Sequence, residues 1–226
     1  MLQLLEAMLV WDHCQSHGVH AIHAHFGQAP ASVAWWVARL GGAIGDDRWT
    51  WSVTIHGWHE FVTEDTSRLR DKLTAADLVV CVSDFTRAQV LRIAPRSAWD
   101  EVAVVRCGID LEAFAPRATR PVGSPPLVVV TARLAAEKGH LVLLDALRRL
   151  ADEGMAVRAR IIGDGPLRGE IDDAITRLGL DDVVELTGAL PPAEVAAALR
   201  EADVFCLPTF AEGLPVSLME AMAVGV

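Results

Sequence analysis

Two carboxylates, Glu212 and Glu220, stand eight positions apart near the end of the chain, with Gly213-Leu214-Pro215 directly after the first. The apolar run before them, ending in Phe205-Cys206-Leu207-Pro208, reads as a strand. Pro215 onward reads as the first turn of a helix, because proline is tolerated at the first helical position. A helix N-terminus offers unbonded N–H groups and a partial positive charge, both suited to phosphate. One carboxylate precedes that terminus and the other lies about two turns inside it. The pair can hold the hydroxyls of a sugar at one end and of a ribose at the other, with a diphosphate between.

Other residues have types and positions that fit such a ligand. Arg133 and Lys138 follow the predicted strand 127–131, where an arginine can clamp a phosphate and a lysine can serve as a point charge; the plainer alternative is a solvated helix start. Gly163 and Gly165, in Gly163-Asp164-Gly165-Pro166, follow a second strand and permit close backbone approach, or form an ordinary tight turn. They lack the G-x-G-x-x-G spacing of a nicotinamide dinucleotide site. His56 follows the strand 51–55 and can hydrogen-bond a sugar hydroxyl or share a proton, unless it only caps a turn. If His20, His23 and His25 lie on one strand, His23 and His25 share a face and His20 opposes them; His25 is expected to point into a cleft and the others to pack or hydrogen-bond. No Asp or Glu nearby completes a metal set with them. Ser83 is best read as a helix N-cap that also lies within reach of an acceptor.

The bulk composition excludes other classes. The chain has 226 residues, 52% of them hydrophobic, enough for two small domains or one large one. Its 30 acidic and 20 basic residues leave a net charge of −10, which argues against a nucleic-acid partner. Cys14, Cys81, Cys107 and Cys206 form no C-x-x-C pair; Cys81 and Cys206 read as buried thiols, and a reducing cytoplasm is the expected compartment. No apolar run reaches the roughly 18 residues of a membrane span. The start of the chain, through Trp11, reads as an amphipathic helix rather than a signal peptide, as though the chain began inside a domain.

Elements must alternate to place these residues at strand ends. Short apolar runs alternate with helical patterns almost throughout, which predicts βαβ units and parallel sheets. Strands are expected at 19–26, 51–55, 78–82, 102–105, 127–131, 157–162, 183–186 and 204–207, with helices at 32–40, 67–75, 84–93, 140–152, 167–178, 192–200 and 216–223. A stretch rich in proline and glycine, 117–126, reads as a linker between domains 1–116 and 127–226. The halves echo each other: Ala76-Asp77 and Ala202-Asp203 each join a helix to a strand, followed by a turn and another helix. Two Rossmann-like domains facing across a cleft, with ligand at the C-terminal strand ends, fit this pattern.

Arg133…Lys138-Gly139, Gly163-Asp164-Gly165-Pro166, Ala202-Asp203 and Glu212-Gly213-Leu214-Pro215…Glu220-Ala221-Met222-Ala223 together resemble the retaining group 1 (family four) glycosyltransferases of the α/β GT-B fold. In the first half, His23-Ala24-His25-Phe26-Gly27, Thr54-Ile55-His56-Gly57, Cys81-Val82-Ser83-Asp84 and the run 104–110 are similar to the branch that builds exopolysaccharides such as colanic acid. The resemblance implies a hexosyltransferase that moves a sugar, with retention, from a UDP- or GDP-sugar to a glycan or lipid-linked acceptor. It implies no cofactor and no metal, in keeping with the lack of any Asp-x-Asp. Arg133 and Lys138 would hold the donor diphosphate, Glu220 the ribose, and Glu212 the donor sugar. Gly163, Gly165, Gly213, Leu214 and Pro215 would line the nucleotide-sugar site, and the N–H groups after Gly213 would support the phosphates. His56 would act beside the sugar, with His25 and Ser83 on the acceptor side. Cytoplasmic placement with weak attachment to the inner membrane face follows from lipid-linked acceptors; Arg68, Arg70 and Lys72 are expected to form a solvated basic helix face. By comparison with that pattern, the chain is expected to be an internal fragment with incomplete sheets. A sugar-nucleotide epimerase of the same fold, or a non-catalytic binding fragment, are the competing readings.

Overall fold

A computed structural model describes residues 2–44, 49–62, 67–118 and 125–226. The described chain divides into two compact units, residues 1–107 with 212–214, and residues 108–211 with 215–226. Most of the expected linker, at 119–124, lies outside the described residues.

The first unit holds a parallel sheet of β1 (Ala21–His25), β2 (Thr50–Ile55), β3 (Leu78–Cys81) and β4 (Val102–Val104), in the order β1-β2-β3-β4. Helices α1 (Leu2–Ser16), α2 (Ala29–Ile44), α3 (His59–Val62), α4 (Leu69–Ala75) and α5 (Asp84–Ile93) accompany it. Strands covered on both faces read as continuous apolar runs, and Val53, Ile55, Val79 and Cys81 are buried here against Trp35, Leu69 and Leu73. Burial raises the Cys81 thiol to a pKa of about 12, which keeps it an inert packing group. The expected amphipathic pattern of α1 is not realised. Val10, Trp11 and Cys14 pack toward Val37 and Trp49, while Leu2, Leu5, Met8 and Leu9 on the other side stay more than half exposed.

In the second unit β5 (Leu127–Thr131), β6 (Arg158–Ile162), β7 (Val184–Gly188) and β8 (Val204–Phe205) form a parallel sheet ordered β7-β6-β5-β8. Around it lie α6 (His140–Asp152), α7 (Arg168–Arg177), α8 (Pro192–Glu201) and α9 (Val216–Val224). One core cluster joins Val130, Leu144, Ile161 and Ile171; another joins Phe114, Val129, Leu199 and Val224.

The two Ala-Asp echoes do the same work in each unit. Asp77 donates its N–H to the carbonyl of Trp51 (3.0 Å) and accepts the Trp51 N–H on its carboxylate (2.9 Å). Asp203 makes the same reciprocal pair with Leu127, at 2.8 Å both ways. An aspartate at the strand entry thus supplies both partners for a residue at the start of the neighbouring strand, Trp51 in β2 and Leu127 in β5. Their role is to set strand register.

Of the three expected solvated cations, Lys72 is the exception: only 1% of it is exposed, and its ammonium donates to the carbonyls of Gly27 (2.7 Å) and Gln28 (2.8 Å). Periodicity alone does not reveal a tertiary acceptor, so the sequence assigns this lysine to solvent. Among the described residues no helix is long and apolar enough to cross a membrane.

Candidate functional site

In the first unit the C-terminal strand ends carry the expected histidines. β1 ends at His25 beside Thr54 of β2, and β2 hands on to His56. His25 Nδ1 lies 2.8 Å from His56 Nε2, so the two imidazoles share a hydrogen bond. His23 instead bonds Ser52 (2.7 Å) and Thr54 (2.8 Å), and His20 packs edge-on against Trp49, which makes both structural. Burial lowers the pKa of His56, opposed by the charge of Glu60 and reinforced by His25, His23 and His59.

Ser83 caps α5: its hydroxyl accepts from the Thr86 N–H (3.2 Å), and Thr86 returns the bond to the Ser83 N–H (3.0 Å). The same hydroxyl donates to the carbonyl of Gly213 (2.7 Å), so this cap also anchors the turn 212–214 that belongs to the first unit. Gly213 lies so close to the His56 carbonyl that a side-chain carbon there would overlap it.

In the second unit the cationic loop and the glycine loop meet at the C-terminal ends of β5 and β6. Leu134 donates its N–H to Asp164 O and accepts from Leu167 N, both at 3.0 Å, which locks the loop 132–134 to 163–167. Gly163 has φ of 149° and Gly165 would place an added carbon 2.5 Å from Leu134 O, so both glycines serve loop-to-loop contact. Gly163→Ala, which would drive a methyl into the Ala132 carbonyl, is expected to lower stability by about 2 kcal/mol in urea unfolding; a loss below about 0.5 kcal/mol would refute the contact's rigidity.

Arg133 is exposed, and its guanidinium has no ion pair or hydrogen bond among the described residues. Its carbonyl accepts from Nε2 of the buried His140 (3.0 Å). Burial lowers the pKa of His140, with the charge of Lys138 in support and the bond to Arg133 opposing. Lys138 ends the short 3-10 turn Ala136–Lys138. The loop after β8 docks there, with Phe210 N bonded to Glu137 O (2.8 Å) and the Thr209 hydroxyl to the same carbonyl (3.1 Å).

α9 begins at Val216, with Pro215 as N-cap rather than first helical residue. The Pro215 carbonyl accepts from Leu218 and Met219, so the amides of Val216 and Ser217 precede the first helical bond. Glu220 follows in the second turn, half-buried, with no bonded partner among the described residues. Burial raises its pKa. The structure therefore brings Arg133, Gly163 and Gly165 together through backbone, and leaves Glu220 unbonded to them. Glu212, Gly213 and Leu214 join the first unit, with Ser83 and His56.

Sequence reasoning missed Glu60 and Lys72, which hold the histidine-bearing loops. A carboxylate four residues after a strand-end histidine was the available signal. A concavity of about 440 Å³ beside Lys72 is lined by Gln28, Ser32, Trp35, Trp36 and Arg68. The Arg68 and Arg39 guanidiniums lie 5.0 and 5.6 Å from the Trp35 ring centre, in cation–π contact with it.

Residues 113–226 match the family described as glycosyl transferases group 1, and residues 2–113 match glycosyltransferase family 4. The chain belongs to the group 1 glycosyltransferases. WcaL of Escherichia coli K12, assigned to colanic acid biosynthesis, is 36% identical over 214 residues, covering 90% of this chain and 51% of that protein. The chain thus spans about half the length of the curated relatives it matches. Among solved structures, sucrose-phosphate synthase of Thermosynechococcus elongatus superposes with a TM-score of 0.82 at 20% identity, over 97% of this chain and 58% of the other. Anabaena Alr3699/HepE, in complex with UDP and glucose, gives 0.76 at 19% identity, over 97% and 60%. These likenesses establish that this group 1 glycosyltransferase chain has the GT-B fold, its two parallel sheets each forming part of one unit.

Proposed function

We propose that the protein containing this chain transfers a sugar from a UDP- or GDP-linked donor to a glycan or lipid-linked acceptor, with retention and without a metal. The observation that carries this reading is the second unit's strand-end edge. There the exposed Arg133, whose guanidinium has no bonded partner among the described residues, stands on a backbone pinned at Leu134 and His140. α9 adds two amides ahead of its first helical bond, and Glu220 an unpaired carboxylate. A diphosphate calls for the cation and the amides, and a ribose diol for the carboxylate. The family supports a sugar-transfer reaction, and similarity to WcaL supports an exopolysaccharide acceptor. In this reading Arg133 and Lys138 stabilise the departing diphosphate, Gly163 and Gly165 line the donor site by holding their loop against 132–134, and Glu212 holds the donor sugar. His25, His56 and Ser83 lie on the acceptor side. Weak attachment at the inner membrane face accompanies a lipid-linked acceptor.

Titration of UDP and of GDP into the full-length protein by calorimetry, in EDTA, tests the nucleotide site. Glu220→Ala is expected to weaken binding of the preferred nucleotide at least about tenfold, as loss of a charged hydrogen bond requires. Stability should not fall. Because the folded-state pKa of Glu220 is raised, the native protein binds more protons than the unfolded chain between the two pKa values. Ionised Glu220 thus opposes folding at neutral pH, and its removal relieves that cost. An unchanged dissociation constant would overturn the ribose role, and absence of binding by either nucleotide would overturn the donor site.

A further inference from the structure

Glu60 is fully buried on the short helix α3, and its carboxylate bonds backbone groups of two loops. One carboxylate oxygen accepts the N–H groups of His56 (2.7 Å) and Gly57 (2.8 Å), in the loop after β2. The other accepts the N–H of Gly27 (2.5 Å), in the loop after β1. Lys72 holds the far side of the same run through the carbonyls of Gly27 and Gln28. Between His25 and Gly27 stands Phe26 at φ of 74°, a left-handed conformation that is strained for a non-glycine residue and persists only where its surroundings over-determine it. Its ring centre lies 4.6 Å from that of His56. The buried carboxylate therefore fastens together the two loops that bring His25 Nδ1 to His56 Nε2.

We propose that Glu60 is a positioning residue that builds His25 and His56 into one proton-sharing unit, the acid–base element of the first unit's strand-end site. The hydrogen bond between the rings carries a single proton. The neutral pair takes up one further proton at an outer ring nitrogen without disturbing that bond. A second would set two N–H groups against each other, so the rings titrate as a pair. Among the described residues Glu60 is the negative charge that acts on His56; His23, whose ring centre is 5.0 Å from that of His25, and His59 act on it too, Glu212 lies in the turn packed at the His56 carbonyl, and Lys72 and Arg68 stand on the far side of Glu60. The use of this unit on a sugar hydroxyl rests on the glycosyltransferase reading above; the unit itself does not.

The test is an NMR titration of isotope-labelled histidine rings in the full-length protein, wild type and variant, with circular dichroism to confirm folding. In the wild type the His25 and His56 signals should move together through the same steps. His56→Gln should return His25 to a single independent step. Glu60→Gln, which removes the charge and turns an amide group toward the backbone donors, should shift the His56 step to lower pH and uncouple the rings. Where Glu60→Gln does not fold, Glu60→Asp, one methylene shorter, should uncouple the rings while retaining the charge. Independent titration of the two rings in the wild type, or coupling unaltered in folded Glu60 variants, would overturn the proposal. Because the readout needs neither donor nor turnover, a failure of nucleotide binding leaves it standing. With turnover measured as well, folded Glu60→Gln should lower kcat and shift its pH profile, with the donor KM retained.

Discussion

Lys72→Met is expected to lower the unfolding free energy by about 3 kcal/mol, the scale for removing one member of a buried charge constellation. Methionine matches the length of the lysine stem and fills most of its space, so a cavity contributes little to this figure. The loss comes from the Gly27 carbonyl, which loses its ammonium donor, from the Gln28 carbonyl, which is left with its bonds from Ser32, and from the Glu60 carboxylate, which loses a nearby cation. A pH signature separates these causes from poor packing. Burial, with Arg68 in support and Glu60 opposing, lowers the Lys72 pKa from 10.5 to about 8. Between those values the unfolded chain binds more protons than the native protein, so Lys72 makes stability rise with pH in that window. The methionine variant should lose that rise. Urea unfolding from about pH 7 to pH 10 measures both effects, and a variant within about 1 kcal/mol of wild type at pH 7 would show that the ammonium contributes little net stability.

The parts of the fold legible in the sequence are those governed by local pattern. The spans 84–93, 127–131 and 140–152 coincide with the observed elements, because capping, branched apolar runs and helical periodicity all agree there. Ser83 illustrates this, as its cap and its return bond from Thr86 are local chemistry. β8 was less legible: in the apolar run 204–207 only Val204 and Phe205 form strand, Cys206 keeps one bond to the Val129 carbonyl (2.9 Å), and the chain then runs to Glu137 through Thr209 and Phe210. Glu60 and Lys72 were illegible for a different reason. A charged side chain is assigned to water unless a partner is visible, and their partners are backbone groups of loops up to 45 positions away. The same limit applies to the candidate site. Residue types at strand ends put forward His25, His56, Arg133 and Gly163 as candidates, whereas the packing around them is tertiary.

Arg133→Ala should separate a chemical role from a structural one. The residue's backbone is firmly held: His140 bonds its carbonyl, and the fully buried Leu134 after it is bonded at both N–H and carbonyl. Its guanidinium does none of this work. Substitution of such an exposed side chain should change stability by no more than about 0.5 kcal/mol. Turnover of nucleotide-sugar by the full-length protein should nevertheless fall by about 10²- to 10³-fold, the scale for removing one preorganised group that meets charge developing in a transition state. Because that charge grows on the departing diphosphate, kcat should fall more than donor affinity, and a lysine at 133 should restore only part of the loss, since it cannot present two parallel N–H donors. Equal losses in kcat/KM and donor affinity with kcat retained would make Arg133 a binding group only. Full turnover in the alanine variant would place the neutralising charge on Lys138 and on the first amides of α9. A cation pinned by its backbone and unpaired at its tip costs no reorganisation when the leaving group arrives, which is why its removal should register in rate and not in stability.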